Sequence, residues 1–280
     1  MQTILIAGCG YVGTTLALRL SRAGHQVWAI RRNTAALPDG IHPIQADLLN
    51  LESLRPLPAY FDFVFYTAGA ASFDETAYRS AYVDGLWNVL ETLEVEGRRP
   101  QRVFFTSSTG VYHQNQGEWL EETSPTTPDR FSGQCLLEGE ELLQGSMFAG
   151  TVVRLGGIYG PGRTRLLDLV RAGQAECVKS RTTYLNLIHR DDAAGILEHL
   201  MNLDHPEELY LGVDHEPVER CTLLRWMAAK LRLPAPRMVH EQEQHEPQRG
   251  GNRRFLNTRI KKTGYSFQYP TYREGYRELL

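Results

Sequence analysis

The chain has 280 residues, 42% of them apolar and 22% charged, which is typical of a globular protein and not of a disordered or fibrous one. Its formal net charge of −3 argues against nucleic acid or an acidic membrane surface as a partner. The four cysteines include no C-x-x-C pair, which argues against a disulfide framework or a zinc site and fits a reducing cytoplasm.

Strand-like and helix-like segments alternate through the first half of the chain. TILIAG is a short apolar run that ends in glycine, which predicts a buried strand. The opening MQTILIAGCG is too short for a membrane span and lacks a basic region, so we expect neither an anchor nor a signal peptide. A helical pattern ending at Gly24 follows, and then the strand-like runs QVWAIRR and FDFVFYTAGA. Residues 73–96 have helical spacing, RVFFTSS predicts a strand, QCLLEGEELL a helix and TVVRLGGIYG a strand. The alternation predicts an α/β fold, a Rossmann-type doubly wound parallel sheet.

The alternation weakens after about residue 156, which predicts a small C-terminal lobe. DDAAGILEHLM predicts a helix, residues 233–254 a polar surface excursion, and YPTYREGYRELL a turn and a short helix. We therefore expect an NAD(P)-binding core over residues 1–155, to which the chain returns at about 185–200. The expected substrate-binding lobe comprises residues 156–184 and 203–280.

A glycine motif, GCGYVG, joins the first predicted strand to the first predicted helix. Gly8, Gly10 and Gly13 have the G-x-G-x-x-G spacing, which allows a tight turn, close approach of a pyrophosphate and close helix–strand packing. We expect Tyr11 and Val12 to lie with these glycines at the cofactor, because the helix N-terminus faces the phosphates. A merely tight turn is the alternative.

The second predicted strand ends in Arg31 and Arg32, where an NAD-binding site usually has Asp or Glu. Guanidinium groups can hold a 2′-phosphate, so NADP(H) is favoured over NAD(H), with a solvated arginine pair as the alternative. Asp47, after the next short strand, is predicted either to contact the adenine amino group or to cap a helix.

Six segments, in chain order, resemble the extended short-chain dehydrogenase/reductase family of nucleotide-sugar epimerases and dehydratases. They are TAGA (67–70), YVDGLWNVLE (82–91), SSTGVY (107–112), VRLGGIYGPGR (153–163), LNLIHRDDAAGIL (185–197) and LNTRIKKTGYSFQYP (256–270). The chain is most similar to an atypical, YeeZ-like branch. The resemblance implies a monomer or homodimer, with Ala68, Gly69 and Ser107 along the cofactor.

In that family, catalysis depends on a Ser or Thr, a Tyr, and a Lys four residues after the Tyr. The resemblance places the serine at Ser108, but Phe131 and Cys135 stand at the Tyr and Lys positions. None of the 13 tyrosines has a lysine four residues later, and the first lysine of the chain is Lys179. Phenylalanine exchanges no proton, so we expect an atypical active site.

Two side chains are the candidates for residual catalysis. Ser108 is expected to hydrogen-bond a substrate oxygen, with the other hydroxyls of 106–109 as alternatives, or else only to satisfy loop backbone. Tyr112 is the candidate proton donor, although an unassisted phenol has a pKa of about 10 and packing is the alternative. His113 titrates in a suitable range, but a loop histidine is often simply exposed.

Several basic and aromatic residues further along predict that an anionic substrate group binds, such as a nucleotide-sugar diphosphate or a carboxylate. The set is Arg154, Tyr159, Arg163, His189 and Arg190, with Arg165 nearby. Surface ion pairs are the alternative for each of them. No metal site is expected in HEQEQHE (240–246), because its histidines are five residues apart.

These features predict an NAD(P)-binding oxidoreductase or an epimerase/dehydratase-like enzyme that acts on a small polar molecule. The missing Tyr/Lys pair keeps a second hypothesis open, a non-catalytic NADP(H)-binding sensor or scaffold. The cofactor motif and the fold do not decide between an enzyme and a non-catalytic binding protein, because one fold supports many functions.

Overall fold

The structure, a computed structural model, describes residues 1–243 and 251–280. The strands are β1 Thr3–Ala7, β2 Gln26–Arg31, β3 His42–Gln45, β4 Phe63–Tyr66, β5 Arg102–Ser108, β6 Glu118–Leu120, β7 Gly150–Leu155, β8 Gly157–Tyr159, β9 Glu176–Val178, β10 Tyr184–Leu185, β11 Leu187–His189, β12 Leu209–Gly212, β13 Val218–Glu219, β14 Arg237–Val239 and β15 Arg253–Phe255. The α-helices are α1 Tyr11–Arg22, α2 Leu51–Leu54, α3 Glu75–Arg79, α4 Gly85–Val95, α5 Phe131–Gly145, α6 Arg165–Arg171, α7 Arg190–Met201, α8 Arg220–Leu231, α9 Thr258–Lys262 and α10 Tyr272–Arg277. A π-helix spans Ser80–Asp84, and 3₁₀ turns span Thr109–Val111 and Glu241–Glu243. Among these helices none is long and apolar enough to cross a membrane.

Seven strands form one sheet in the order β12-β7-β5-β4-β1-β2-β3. The pairs β1–β2, β2–β3, β1–β4, β4–β5 and β5–β7 are all parallel. The strand order therefore reverses between β1 and β4, and such a reversal opens a crevice at the carboxyl ends of the strands. The predicted Rossmann-type parallel sheet is confirmed.

The central strands are apolar along their whole length because helices cover both faces of a parallel sheet. All four residues of β4 are buried, and Leu5, Val64 and Val103 are fully inaccessible. The α4 side chains Leu86 and Val89 pack in the same core cluster. This packing fixes the carboxyl ends of β1, β4 and β5 at one edge of the sheet.

The helical spacing of residues 73–96 corresponds to α3 and α4, which a π-helix separates. The Tyr66 hydroxyl donates a hydrogen bond of 2.6 Å to the carbonyl of Ala81. The Gly85 N–H donates to the carbonyl of Ser80 instead, five residues back. An inserted side chain that takes a helical carbonyl is a known cause of such breaks, and π-helices are frequent at functional sites.

The chain divides into two compact units, one comprising 1–112, 125–155 and 193–210, the other 113–124, 156–192 and 211–280. The second unit contains small two-stranded pairings, β8–β11, β9–β14, β10–β13 and β6–β15. The surface excursion predicted for 233–254 therefore includes two short strands, β14 and β15. The rest of that segment falls partly outside the described residues.

Candidate functional site

The glycine loop lies at the crevice, and each glycine has a different steric environment. Gly8 has a φ of +85°, and a Cβ there would come within 2.5 Å of the Ala68 backbone. A Cβ on Gly13 would come within 2.4 Å of Thr67 Oγ1, which itself donates to the Gly8 carbonyl at 2.9 Å. A Cβ on Gly10 would meet nothing closer than the Gly8 carbonyl oxygen, at 3.8 Å. Two glycines are thus required by packing, whereas the third keeps open the space in front of the loop.

A cleft of about 290 Å³ opens over this loop within the first unit. Seven predicted cofactor residues line it together: Gly8, Gly10, Arg31, Arg32, Asp47, Ala68 and Gly69. Tyr11, Val12 and Gly13 form the first turn of α1, whose N-terminus begins at Gly10, and Val12 and Gly13 are buried there. The structure therefore brings the glycine loop and the two arginines to one cleft, as the sequence predicts.

The arginine edge of the cleft is formed by the end of β2. Arg31 is half-buried and Arg32 is exposed, so one guanidinium can contact a ligand while the other extends the positive charge outward. Asp47 Oδ1 accepts a hydrogen bond of 3.1 Å from the Leu49 N–H. Asp47 does not cap α2, because that role belongs to Asn50. Its carboxylate remains at the wall of the cleft.

The opposite wall of the cleft was not predicted from the sequence. It includes Tyr66, Ala77, Ser80 and Ala81, at the end of β4 and on α3 and the π-helix. Burial raises the pKa of the Tyr66 phenol, which therefore stays neutral. Helical periodicity gives no signal for a π-helix, so this wall is visible only in the structure.

The cleft fits a dinucleotide by these features. A helix N-terminus without a side chain at Gly10 suits a pyrophosphate, and guanidinium groups at the strand end suit a 2′-phosphate. The small residues Ala68 and Gly69 let a flat group lie against the strand end.

Ser108 lies at the carboxyl end of β5, half-buried, and caps the following 3₁₀ turn. Its Oγ accepts a hydrogen bond of 3.1 Å from the Gly110 N–H, so the hydroxyl proton can be donated elsewhere. Ser107 is buried, and its hydroxyl donates to Glu140 Oε1 at 2.5 Å. The two adjacent serines therefore have different environments, and only Ser108 retains exposure.

A buried ionic network lies behind the serines. Arg154 on β7 donates from Nε and Nη2 to the Glu140 carboxylate on α5, with an Nη2–Oε2 distance of 2.6 Å. Arg154 Nη1 also donates to the Tyr112 hydroxyl at 2.7 Å. The side chains of Arg154 and Glu140 are 6% and 2% exposed. Burial alone would lower the pKa of Arg154, but the hydrogen bonds and the charge of the Glu140 carboxylate raise it overall, so the guanidinium stays charged.

Two predicted site residues thus have mainly internal contacts. Arg154, predicted to contact substrate, directs its guanidinium to Glu140 and Tyr112. Tyr112, predicted as a proton donor, is 2% exposed. Glu140 was missed by sequence reasoning, although a glutamate among the apolar residues of QCLLEGEELL is the signal that could have identified it.

The resemblance places the family's Tyr and Lys at Phe131 and Cys135, which lie in the first two turns of α5. Phe131 is its first residue and half-buried, and Cys135, one turn later, is 3% exposed. Burial raises the pKa of the Cys135 thiol, so the thiol stays neutral. Phe131 has no exchangeable proton, and a neutral Cys135 thiol carries no positive charge.

The second unit contains the other predicted substrate residues. Tyr159 is buried and stacks on Tyr276 at a ring distance of 4.3 Å, and His189 is 1% exposed and contacts Tyr269. Arg163 is exposed. Arg190 is half-buried, and its Nε donates to Asp191 at 3.0 Å. An anion can therefore reach Arg163 and Arg190, whereas the rings of Tyr159 and His189 are buried.

Two buried aspartates of the second unit were not predicted to be buried. Asp192 accepts from the Tyr265 hydroxyl and from the N–H groups of Gln268 and Tyr269, all at 2.8 Å, and so holds that C-terminal segment. Asp214 is 2% exposed, and neither its Oδ2 nor the hydroxyl of Tyr159 has a partner within the described residues. Burial raises the pKa of Asp214 well above its usual value.

Within 1–243 and 251–280 no cluster of His, Cys, Asp and Glu is arranged to hold a metal ion. His240 begins the HEQEQHE segment, but His245 lies outside the described residues. The four cysteines are all buried and free.

Comparisons with known proteins place these features in context. Residues 4–212 match the model of the NAD dependent epimerase/dehydratase family. The chain is 26% identical to the protein YeeZ of Escherichia coli strain K12 over 96% of its own length and 97% of YeeZ. A structure from Methylobacillus flagellatus, proposed to be an NAD-dependent epimerase/dehydratase, is 35% identical with a TM-score of 0.83, covering 99% and 97% of the two chains. Human SDR39U1 with NADPH shares the fold at 21% identity, with a TM-score of 0.80 over 99% and 98%.

Proposed function

Because the chain belongs to the NAD-dependent epimerase/dehydratase family, we propose that it binds NADP(H) and acts as an oxidoreductase or epimerase-like enzyme on a small anionic substrate. The proposal rests on one observation, that Gly10 and Arg31 line the same cleft. No atom lies closer than 3.8 Å to the position of a Cβ on Gly10, so a ligand can approach the loop there. The resemblance to the short-chain dehydrogenase/reductase family that the sequence motifs indicate is confirmed by the family match.

The preference for NADP(H) over NAD(H) rests on charge. The strand end carries Arg31 and Arg32 in place of a carboxylate, and a carboxylate there would repel a 2′-phosphate. A charge-assisted hydrogen bond contributes about 1.5–3 kcal/mol. We therefore expect NADPH to bind roughly tenfold or more tightly than NADH.

For catalysis, Ser108 is the group that binds the substrate oxygen. Its Oγ accepts from Gly110, so its own proton points to a substrate carbonyl or alkoxide. When bound, the nicotinamide supplies or accepts the hydride. The Tyr112 hydroxyl accepts a hydrogen bond from Arg154, and this contact holds the segment that follows β5. A water molecule, and not Tyr112, then transfers the proton.

The anionic substrate group is assigned to Arg163 and Arg190. Both arginines are accessible in the second unit, whereas Arg154 is buried against Glu140. A guanidinium pairs with a diphosphate or a carboxylate through two parallel hydrogen bonds. A nucleotide sugar meets this requirement and is the first substrate class to test.

Calorimetric titration tests the cofactor part of the proposal. We expect Arg31→Glu to weaken NADPH binding by about tenfold to a hundredfold and to leave NADH binding nearly unchanged. Arg22→Glu, at the far end of α1, is the matched charge-reversal control. Equal affinities for NADPH and NADH in the native protein would contradict the assignment.

A second candidate function, a non-catalytic NADP(H) sensor or scaffold, is favoured by the surroundings of the missing pair. Tyr112 is buried and Cys135 is neutral and buried, so neither of these two side chains is accessible to act as the proton donor. Steady-state turnover with nucleotide sugars, carbonyls and alcohols separates the candidates. The enzyme predicts turnover that Ser108→Ala reduces at least about tenfold, and the sensor predicts none in either protein.

A further inference from the structure

Two of the four cysteines lie side by side in the second unit, although they are far apart in the sequence. Cys177 is the middle residue of β9, and Cys221 is the second residue of α8. Both side chains belong to the same core cluster, and their thiol groups interact with each other. A disulfide requires the two sulfur atoms to approach to about 2.0 Å, so thiols that already interact need little backbone movement.

A separate contact holds the backbone of β9 against the start of α8. The Arg220 side chain donates a hydrogen bond of 2.6 Å from Nη1 to the carbonyl oxygen of Glu176. The Arg220 N–H donates to the carbonyl of Thr183 at 2.9 Å, and Arg220 itself is buried. Because Glu176 and Arg220 each immediately precede a cysteine, this contact keeps Cys177 and Cys221 together.

The two cysteines have different reactivities. Cys221 lies in the first turn of α8, where the helix N-terminus stabilises a thiolate. Its contact with the Cys177 thiol, helped by the Arg225 guanidinium, lowers the pKa of Cys221 to about 7 against the effects of burial and of the Glu219 carboxylate. Arg225 is held at this place because its Nη2 contacts Met238 Sδ at 3.3 Å, and Met238 is the register partner of Cys177.

Access and protonation then assign the order in which the two thiols react. Cys221 is 7% exposed and Cys177 is fully inaccessible, so an oxidant from solvent reaches Cys221 first. The contact with Cys221 raises the pKa of Cys177, which therefore stays a neutral thiol. This combination of an attacking thiolate and a neighbouring second thiol is typical of redox-sensitive cysteines.

We propose that Cys177 and Cys221 form a redox site that a hydroperoxide converts to a disulfide. The Cys221 thiolate attacks one oxygen of hydrogen peroxide, so that an S–O bond forms, the O–O bond breaks and hydroxide leaves. The Cys177 thiol then attacks the Cys221 sulfur, an S–S bond forms, the S–O bond breaks and water leaves with the thiol proton. The two sulfurs together lose two electrons to the peroxide. A small thiol reverses the reaction by exchange, as is usual for transient disulfides in a reducing compartment.

This redox site goes beyond the proposed function and does not depend on it. Cys177 and Cys221 both belong to the second unit, and neither lines the cofactor cleft. Cys9 and Cys135 belong to the first unit, and burial raises the pKa of each thiol. We therefore expect these two cysteines to stay reduced, and they serve as internal controls in every sample.

The test is a peptide map of the full chain after brief treatment with hydrogen peroxide, removal of the peroxide by catalase, and alkylation in denaturant. All four cysteines are free and should be alkylated before treatment, and only Cys9 and Cys135 after it. We expect a peptide in which Cys177 is joined to Cys221, with a mass about 2 Da below that of the two reduced peptides. Dithiothreitol should restore alkylation of all four cysteines. Four alkylated thiols after treatment, or a disulfide between two chains, would overturn the proposal.

Two variants test the order of attack. Cys177→Ala removes the second thiol, so Cys221 should accumulate as a sulfenic acid that dimedone labels. In Cys221→Ala, dimedone labelling of Cys177 should be at least about tenfold lower. Cys135→Ala, which removes another buried cysteine, is the matched control and should form the native disulfide. Preferential labelling of Cys177 would refute the role of Cys221, and melting temperatures check that the variants fold. If neither does, the peptide map of the native protein decides alone.

Discussion

Substitutions of Gly10 and Gly13 should affect different properties of the protein, although both glycines belong to one motif. In Gly10→Ala the new methyl meets no atom closer than 3.8 Å and φ is −93°, so the protein itself accommodates it. In Gly13→Ala the methyl would lie 2.4 Å from Thr67 Oγ1 and 3.0 Å from the Gly8 carbonyl oxygen, and α1 must move away from the sheet. The first substitution should therefore impair binding, and the second should impair folding.

The magnitudes follow from these contacts. Overpacking of a buried contact costs about 1–3 kcal/mol, so Gly13→Ala should lower the melting temperature by roughly 2–8 °C. Gly10→Ala should change it by less than about 2 °C. Its methyl occupies the space in which a pyrophosphate would approach the α1 N-terminus. Losing one charge-assisted hydrogen bond weakens NADPH binding by about tenfold to a hundredfold.

Differential scanning fluorimetry and calorimetric titration of the same preparations provide the two readouts. Native Gly8 is a useful third position, because Gly8→Ala should also destabilise through its positive φ and its contact with Ala68. A folded Gly10→Ala protein that binds NADPH with native affinity would refute the placement of the pyrophosphate at Gly10. Loss of folding in Gly10→Ala would refute the steric argument.

Two further predictions concern buried charges. Glu140→Gln should lower the free energy of unfolding by about 3–5 kcal/mol in chemical denaturation, because it leaves the Arg154 guanidinium buried without a counter-charge. Glu138→Gln, whose ion pair with Arg79 is exposed, should change it by less than about 1 kcal/mol, and equal effects would contradict the network. Asp214 has a folded pKa well above its unfolded value of about 3.9, so its contribution to stability is present at acid pH and is lost as the pH rises through the folded pKa. Asp214→Asn should therefore stabilise the protein progressively more as the pH rises from about 4 towards 8 in thermal melts, and a pH-independent difference would exclude this ionisation.

The sheet was predictable because buried parallel strands are apolar along their whole length. Segments such as FVFY have no polar face, and the intervening helices show clear 3.6-residue spacing. The π-helix was not predictable, since it depends on one long-range hydrogen bond from Tyr66 to the Ala81 carbonyl. Apolar spacing over residues 73–96 is nearly the same for one continuous helix as for the interrupted one.

The residues of the cleft were largely predictable because they belong to a local sequence motif, whereas the remainder of the site depends on contacts between distant segments. Gly8, Gly10 and Gly13 are local in sequence, and the motif itself states their backbone requirements. Glu140 and Arg154 depend on α5 and β7 meeting in space, and a single helical glutamate is normally solvent-exposed. Arg154 was predicted to bind substrate because the sequence gives no sign of its ion pair with Glu140.

The surroundings of Phe131 and Cys135 suit these two residues better than a tyrosine and a lysine. Phe131 contacts Phe73 and Tyr78, where a phenol would place a hydroxyl among aromatic rings. A lysine at Cys135 would enter a site that is 3% exposed and on which the Arg79 guanidinium acts. Burial and a neighbouring positive charge both lower the pKa of a lysine and so disfavour its charged form. We therefore expect the double variant Phe131→Tyr, Cys135→Lys to gain no turnover, because the introduced lysine would be buried beside a guanidinium.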